Sequence, residues 1–361
     1  MNFNRDVDNL DEIAEAITRV VHSSQWVNGP EVQKFEKDWA GYNGMPFAVG
    51  VGNGTDALRL SLLALGIGPG DEVISPAFNA AYAAQAVASI GAVNVYADVD
   101  PDTMLLDPES VWAQRSPRTR AIIPVHLFGQ MVNMQTIARM AVTMGAVTVE
   151  DAAQAHGAMY GGFGPGFFSE AVAYSHYPTK NLGCIGEGGS VTTRLPFVAQ
   201  RVRFLRDAGR TDRYVHVLQS GNSMLDEMQA AVLNVRLKYL GDQNWRRQCR
   251  AERYRMHLQG VGDIRFQQLM PMAHFVSHLF VIRTKDRTAL IQHLMEQGIH
   301  ALSHYPCEMT RQPFAVAGSL DQGPFPHSER AAREVMSLPL WPGMSNDEQD
   351  RVISAVKEFF A

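Results

Sequence analysis

A lysine lies in an irregular turn near the middle of the chain, directly after an apolar run that is typical of a buried strand. Residues 171–174 (AVAY) form this run, and the turn at residues 175–183 (SHYPTKNLG) contains Pro178, which blocks helix formation, and Lys180. A lysine amine among Tyr, Pro and Leu side chains is poorly hydrated, so it is more easily deprotonated and able to attack an aldehyde. The same pattern also fits an ordinary solvated loop lysine.

The segment at residues 52–57 (GNGTDA) places small and polar residues where a predicted strand turns into a helix. The free N–H groups of a helix start attract an anion, Gly54 allows close approach to the backbone, and Thr55 supplies a hydroxyl. This combination is typical of a phosphate-binding turn, although the same residues also form a good helix cap. The segment is not a GxGxxG dinucleotide motif, and the chain has no GxxxxGK[ST] loop.

An acidic pair follows another predicted strand, at residues 150–154 (EDAAQ). A buried carboxylate at such a position costs free energy unless a cationic or N–H group accompanies it. The position of Asp151 therefore predicts one of two arrangements. Either a charged partner lies close to the carboxylate, or Asp151 caps a helix that begins directly after it. Lys180, which lies after a neighbouring apolar run, is a candidate for that charged partner.

Strands and helices are predicted to alternate along residues 47–193, and the strands lack a strict polar–apolar alternation. That pattern is typical of a mostly parallel sheet covered by helices, which binds ligands beyond the carboxyl ends of its strands. The fold class is therefore α/β. We expect a large domain at residues 1–260, with a helical segment at residues 1–45, and a smaller C-terminal α/β domain at residues 261–361.

Some predicted elements lie around the boundary between these domains or in the smaller one. The apolar pattern predicts one long helical stretch at residues 225–258, and a second helix at residues 328–336. Strands are predicted at residues 278–284 and 298–305.

Composition argues against several classes of function. Hydrophobic residues make up 46% of the 361 residues, enough for a large core, and the formal net charge of −5 argues against nucleic acid or an anionic membrane as a partner. The arginine-rich segments at residues 201–213 and 246–255 fit solvated helix faces or subunit contacts better. The three scattered cysteines predict neither a disulfide framework nor a metal site. With no signal peptide or membrane-spanning stretch recognised, we expect a cytoplasmic protein.

A reactive amine, a carboxylate and an anion-binding turn are what pyridoxal phosphate (PLP) requires: a group to attack its aldehyde, a partner for its ring nitrogen and a phosphate site. The chain resembles the nucleotide-sugar aminotransferases of the DegT/DnrJ/EryC1/StrS family, which have the aspartate aminotransferase-like fold (PLP fold type I). The matching segments follow the family's order over about residues 25–240: NGTDAL (53–58), GIGPGDEVI (66–74), DVDP (98–101), PVHLFGQ (124–130), EDAAQ (150–154), YPTKNLG (177–183), NS (222–223) and LDEMQAA (225–231).

The resemblance implies a role for each residue that matches a motif. Lys180 would hold the cofactor as an internal aldimine and then move the substrate proton, while Asp151 would keep the ring nitrogen protonated. Gln154 would meet the ring hydroxyl. Asn222 would reach the phosphate of the cofactor in the other subunit, which makes a homodimer with shared active sites part of the expectation. The residues implied at the phosphate within one subunit are Gly54, Thr55 and Ser175.

Candidates for substrate contacts are His304, Tyr305 and Tyr82, each of which also fits a packing role. Three positions depart from the family pattern. Ala80 stands where an aromatic residue that stacks on the cofactor ring is expected, so Tyr82 and Phe78 become candidates to replace it. An Arg that is common in the family after residues 222–223 is absent, because Met224 stands there. The third departure is His176, which replaces the usual Phe and is expected to be a packed or hydrogen-bonded residue rather than a catalyst.

The expected activity is therefore PLP-dependent transfer of an amino group from an amino acid, with L-glutamate as the expected donor, to a nucleotide-linked keto-deoxysugar. Residues 124–130 and 212–214 (DRY) favour amination at C-3, of the dTDP-3-keto-6-deoxyhexose type, over C-4. A C-4 aminotransferase, a PLP-dependent sugar dehydratase and a non-catalytic binding module remain as alternatives. The dehydratases of the family replace the lysine by histidine, so Lys180 favours transamination. The sequence does not identify the sugar, its nucleotide or the pathway.

Overall fold

The computed structural model describes residues 9–316 and 323–361. Residues 1–8, which belong to the predicted helical segment 1–45, lie outside the described residues. The helices are α1 (Leu10–Ser23), α2 (Pro30–Tyr42), α3 (Gly54–Ala64), α4 (Tyr82–Ser89), α5 (Pro108–Gln114), α6 (Met134–Met144), α7 (Pro196–Arg206), α8 (Glu227–Leu237), α9 (Leu240–Leu258), α10 (Arg287–Glu296), α11 (Pro313–Val316), α12 (Pro326–Glu334) and α13 (Asn346–Phe359). The strands are β1 (Phe47–Val51), β2 (Glu72–Pro76), β3 (Val93–Ala97), β4 (Thr119–Ile122), β5 (Val147–Asp151), β6 (Met159–Tyr160), β7 (Ala171–Ser175), β8 (Gly189–Thr193), β9 (Arg265–Phe266), β10 (Ala273–His274), β11 (Phe280–Arg283) and β12 (Val335–Leu338).

A seven-stranded sheet lies at the centre of the fold, with the strand order β1-β8-β7-β5-β4-β2-β3. Five neighbouring strands run parallel, namely β7, β5, β4, β2 and β3. Strand β8 pairs antiparallel with both β7 and β1. The predicted α/β fold with a mostly parallel sheet is therefore confirmed. Asp151 of β5 lies opposite Ala173 of β7. The carboxyl ends of these two strands are consequently neighbours, and the segments that follow them meet at the same end of the sheet.

Helices α2 to α7 pack against this sheet, and local sequence explains where several of them begin and end. Asn53 caps α3 by accepting the Asp56 N–H, and Asn133 caps α6 by accepting the Thr136 N–H. Helix α6 ends at Gly145, whose φ of +66° is the left-handed conformation that glycine adopts without strain. Among the described residues, no helix combines the length and apolar character that crossing a bilayer needs.

A second hydrophobic cluster surrounds the three-stranded sheet, whose order is β12-β11-β9 and whose strands pair antiparallel. Helices α10 and α13 pack on each other beside it. Helix α9 contributes to this cluster through Ala251, Tyr254 and Leu258 and to the main cluster through Leu240, so one helix connects the two cores. The division of the chain into domains at residue 260 stays a prediction.

Some elements in the second half of the chain differ from the predictions. The stretch at residues 225–258 is two helices, α8 and α9, separated by a turn at Lys238 and Tyr239. The predicted strand at residues 298–305 is wrong, because only Leu302 forms a bridge there, to Ser337. On one side β11 pairs with β12, which overlaps the end of the helix predicted at residues 328–336, and on the other side it pairs with β9. Periodicity alone does not separate a short buried strand from the last turn of a buried helix.

Candidate active site

Lys180 lies in the turn that follows β7. Its N–H donates to the Tyr177 carbonyl at 2.8 Å, and a Cβ at Gly183 would lie 2.7 Å from the Pro178 carbonyl oxygen, so the turn is tightly closed. Burial lowers the pKa of the Lys180 amine, and the Asp151 carboxylate acts in the opposite direction. Lys180 is half-buried rather than fully exposed, which argues against an ordinary solvated loop lysine.

Asp151 is the last residue of β5 and is buried. Its Oδ1 accepts the Ala153 N–H at 3.0 Å. Burial raises the pKa of this carboxyl group, whereas the Ala153 N–H and the Lys180 amine act in the opposite direction. Residues 152–158 contain turns and no helix, so Asp151 is not a helix cap. Of the two predicted explanations for this carboxylate, the charged partner is the one that the structure supports.

The start of α3 packs closely against the end of β7. Asn53 accepts hydrogen bonds from the N–H groups of Asp56 and Ala57, which leaves the first two N–H groups of the helix, those of Gly54 and Thr55, without an intrahelical acceptor. A Cβ at Gly54 would lie 2.6 Å from the Ser175 Cβ. The structure thus brings Gly54 and Ser175 together beside free helix N–H groups, which is the geometry of an anion site.

Gln154 is held in one orientation between two parts of the chain. The Phe128 N–H donates to its Oε1 at 2.7 Å, and its Nε2 donates to the Tyr305 hydroxyl at 2.8 Å. Phe128 adopts a φ of +61°, a left-handed conformation that is costly for a bulky residue. Sequence reasoning identified Gln154 and Tyr305 but missed Phe128, whose contribution is a backbone N–H that no side-chain motif reveals.

A buried pair behind Asp151 was also missed. Glu150 Oε2 lies 2.6 Å from His126 Nε2, while its Oε1 accepts the Gly166 N–H at 2.8 Å and the Ser169 hydroxyl. The Val132 N–H donates to His126 Nδ1, so the imidazole carries its proton on Nε2 and donates it to Glu150. The backbone N–H of His126 donates to the backbone carbonyl of Asp151. The signal that could have found this pair is the position of His126 after β4, beside the acidic end of β5.

The remaining sequence-predicted residues lie at different places around this end of the sheet. Burial is the main cause that raises the pKa of the Tyr305 hydroxyl. The hydrogen bond with Gln154 lowers this pKa, and Asp151 and Tyr82 raise it further. His304 Nδ1 lies 2.9 Å from the Ser337 hydroxyl, and burial and Lys180 lower its pKa.

The positions of the two aromatic candidates for the ring contact differ. Phe78 is fully buried and packs edge-to-face on Phe128, whereas Tyr82 is 62% exposed at the start of α4. Asn222 is exposed as well, and the structure does not bring it to Lys180 through any contact among the described residues. His176 is buried, with Nδ1 2.9 Å from the Leu182 carbonyl and Nε2 2.9 Å from the Ser190 hydroxyl, which confirms the expectation of a packed, hydrogen-bonded residue.

Comparison with known proteins identifies the family. A sequence profile for the DegT/DnrJ/EryC1/StrS aminotransferase family matches residues 8–357. The chain belongs to this family. It is 43% identical over 348 residues, 96% of this chain and 92% of the relative, to the dTDP-3-amino-3,4,6-trideoxy-alpha-D-glucose transaminase of Streptomyces venezuelae.

Two solved structures of this aminotransferase family's fold are similar to the chain over most of its length. The crystal structure of S. venezuelae DesV in complex with a ketimine intermediate has a TM-score of 0.94 and 43% identity, and the match covers 97% of this chain and 94% of that one. The structure of Bacillus subtilis NtdA with bound cofactor PMP has a TM-score of 0.91 and 31% identity, with 99% and 84% covered. PLP fold type I is therefore confirmed.

The chain is a PLP-dependent aminotransferase, and its own residues fit that cofactor. The start of α3 offers free N–H groups, and the absence of a Cβ at Gly54 lets this helix start lie directly against Ser175, which fits a phosphate site. Asp151 is a buried carboxylate with a raised pKa that gains from a cationic partner. Lys180 is half-buried and supplies an amine whose pKa is lowered. When bound, PLP supplies an aldehyde and a ring that draws off the electrons left when a proton is removed from the substrate.

Proposed function

We propose that this aminotransferase moves an amino group from an amino acid, with L-glutamate as the donor, to C-3 of a nucleotide-linked keto-deoxysugar of the dTDP-3-keto-6-deoxyhexose type. The observation that supports the proposal is a half-buried lysine and a buried carboxylate that follow neighbouring strands at one end of the sheet and attract each other electrostatically. The name of the S. venezuelae relative, a 3-amino-sugar transaminase, supports the choice of substrate and position.

In this proposal Lys180 and Asp151 are the catalytic residues. Lys180 would hold the cofactor and would then, as a free amine, accept the proton from the carbon that bears nitrogen and donate it to the cofactor carbon. The lowered pKa of its amine favours the neutral form that accepts a proton. Asp151 holds a proton at the ring nitrogen by remaining ionised beside it.

The other cofactor-binding residues have supporting roles. Gly54, Thr55 and Ser175 hold the phosphate, and Gln154 donates an N–H to the ring oxygen. Tyr305 hydrogen-bonds to Gln154, and His304 and Tyr82 lie around the same end of the sheet, which supports their proposed contacts with substrate.

The substrate experiment separates this proposal from its alternatives. Protein loaded with PLP is incubated with L-glutamate and then with dTDP-, UDP- and GDP-linked 3-keto and 4-keto sugars. We expect 2-oxoglutarate to form, followed by an amino sugar from a 3-keto substrate. An amino sugar from 4-keto substrates alone would correct the position of amination. Loss of a sugar hydroxyl without 2-oxoglutarate would indicate a dehydratase, and no reaction at all would favour a non-catalytic module.

We also propose that two copies of the chain share their active sites, with Asn222 of each reaching the cofactor phosphate of the other. The segment before Asn222 exposes large apolar side chains, including Tyr214, which is 78% exposed, and Val217, which supports burial against a second copy. Mixing Lys180→Ala protein with Asn222→Ala protein tests this arrangement, since each mixed dimer keeps one intact site. We expect partial recovery of activity. No recovery, although mixed dimers form, would mean that Asn222 does not act across subunits.

A further inference from the structure

The residue directly after Lys180 has a fully used side-chain amide. Asn181 is buried, and its Nδ2 donates to Asn244 Oδ1 at 2.8 Å and to the Val276 carbonyl at 2.9 Å. Its Oδ1 lies 3.0 Å from His278 Nδ1. We call these residues, Asn181, Asn244, Val276 and His278, the Asn181 clamp. Asn244 belongs to α9, and residues 276–278 lead into β11.

The pattern of donors and acceptors fixes the protonation of the clamp. Both Asn181 donors are occupied by oxygen acceptors, so Oδ1 is the atom that faces His278 and it has to accept. His278 therefore carries its proton on Nδ1. Asn244 accepts from Asn181 and donates through Nδ2 to the His156 carbonyl at 2.8 Å. Every polar atom of the two amides has a partner, and a satisfied buried network of this kind holds one geometry.

The clamp also reaches the residue that orients Gln154. The Val276 N–H donates to the Gly129 carbonyl and the His278 N–H donates to the Phe128 carbonyl, each at 3.0 Å. The Phe128 N–H is the group that fixes Gln154. The backbone of one segment, residues 276–278, therefore contacts both the turn that contains Lys180 and the turn that orients Gln154.

We propose that Asn181 is a positioning residue, which anchors the turn of Lys180 to residues 276–278 and to α9 so that the lysine amine stays shielded from bulk water and aligned with Gln154. The inference rests on the proposed function of Lys180 as the cofactor-binding residue. Within the clamp, Asn181 is the residue that directly follows Lys180 in the chain, whereas Asn244, Val276 and His278 belong to the elements that it contacts. Loss of the Asn181 amide removes three hydrogen bonds at once, so the turn is no longer held against residues 276–278 and α9. We expect more water to reach the Lys180 amine as a result.

The environment of the amine determines what such a loss would do. The titratable groups that interact with Lys180 are Asp151, which favours the charged amine, and the buried imidazoles of His156, His278 and His304. Burial is the main cause of the lowered pKa of Lys180. Opening the turn to water would therefore raise that pKa toward the ordinary value of a lysine.

The main experiment uses the protein without cofactor, so its result does not depend on the proposed activity. The pH dependence of Lys180 acetylation by acetic anhydride is measured by mass spectrometry for the wild type, Asn181→Ala, His278→Leu and His278→Asn. We expect Asn181→Ala to raise the midpoint by about one pH unit, a tenfold change in the neutral fraction at a given pH. We expect His278→Leu to move it in the same direction. His278→Asn should restore the wild-type midpoint, because Asn Nδ2 and His Nδ1 occupy equivalent positions on Cγ.

The matched control is Asn234→Ala, which removes an equally buried asparagine that donates through Nδ2 to Glu31 of α2. Its labelling midpoint should equal that of the wild type. If Asn181→Ala does not fold, the pair His278→Leu and His278→Asn makes the same comparison. A wild-type midpoint in Asn181→Ala or, failing that, in His278→Leu would overturn the inference even if the enzyme transfers amino groups.

PLP binding provides the second readout. The PLP dissociation constant of folded Asn181→Ala, followed by visible absorbance, should rise about tenfold, and that of His278→Asn should not change. If Asn181→Ala shifts the labelling midpoint of Lys180 but the wild-type protein does not bind PLP, the positioning role is supported and the proposed function is contradicted. The two hypotheses can therefore fail separately.

Discussion

The oxygen of the Gln154 side-chain amide accepts a backbone N–H, and this determines which hydrogen-bonding group Gln154 presents to a ligand. The Phe128 N–H occupies Oε1, so the hydrogen-bond donor Nε2 faces Tyr305 and the proposed ring oxygen. A donor at this point favours an ionised oxygen on the ring. The sequence predicted Gln154 from its motif, but it could not predict the orientation, which depends on a left-handed φ at Phe128.

Gln154→Glu should weaken the binding of PLP. The glutamate side chain still accepts the Phe128 N–H, but its second oxygen cannot donate to the ring oxygen and carries charge in a buried place. We expect the dissociation constant to rise about tenfold or more, as for loss of a hydrogen bond to a charged group worth about 1.5–3 kcal/mol. Absorbance titration measures it. Gln85→Glu, at an exposed position of α4, is the control and should bind PLP like the wild type.

Lys180→Ala should remove the group that attaches PLP and moves the substrate proton. We expect the rate of 2-oxoglutarate formation from glutamate to fall by about 10²–10⁴-fold, the usual contribution of a positioned acid–base group. Borohydride treatment should leave a label on the wild-type protein at Lys180 and none on the variant. Lys238→Ala, at a lysine that is exposed on the surface, serves as the control. Undiminished turnover in Lys180→Ala would refute the assignment.

The start of α3 shows how an element builds a site that no single side chain provides. Its N–H groups are positioned by the Asn53 cap, and its approach to β7 depends on the absence of a Cβ at Gly54. The sequence predicted that a strand turns into a helix here, because the glycines at residues 52–57 mark a clear turn between two apolar runs. It failed at β12, where a short buried strand follows a helix without a break.

Gly54→Ala tests this close approach at the scale of this element. The added Cβ would lie 2.6 Å from the Ser175 Cβ and 3.1 Å from the Ser175 Cα, so α3 and the end of β7 have to move apart. We expect a loss of about 1–3 kcal/mol in the free energy of unfolding, together with weaker PLP binding. Gly68→Ala is the matched control, because a Cβ there has no neighbour within 4 Å. Equal effects of both substitutions on PLP binding would contradict the proposed phosphate site.

For the molecule as a whole, the site depends on contacts between segments that are far apart in sequence. Tyr305 reaches Gln154 across a separation of 151 residues, and Asn181 reaches His278 across 97. Local patterns predict which segments end near a sheet, but they contain no information on which distant segment returns to it. For this reason the sequence predicted Lys180 and Asp151 as a pair in one sheet and missed the contacts of residues 276–278.

Buried histidines also give the whole molecule a defined response to acid. His156, His176 and His278 are buried, and burial lowers the pKa of each imidazole, in the case of His176 to about 4. In the unfolded chain the same imidazoles titrate near their ordinary value of about 6.5. Between these values the unfolded state binds more protons than the folded state, so the free energy of unfolding falls as the pH is lowered.

For His176 this difference corresponds to about 3 kcal/mol of stability that is present near neutral pH and lost between about pH 6.5 and pH 4. His176→Phe removes the titrating group from both states. Urea unfolding at each pH measures the free energy of unfolding. Between about pH 6.5 and pH 4 we expect His176→Phe to lose less stability than the wild type, by about 3 kcal/mol.

His22→Phe, at an exposed position in α1, is the control and should lose as much stability over the same pH range as the wild type. Because Phe also removes the partners of Leu182 and Ser190, the comparison uses the change with pH rather than stability at one pH. An equal pH dependence in wild type and His176→Phe would show that this histidine is not buried in its neutral form.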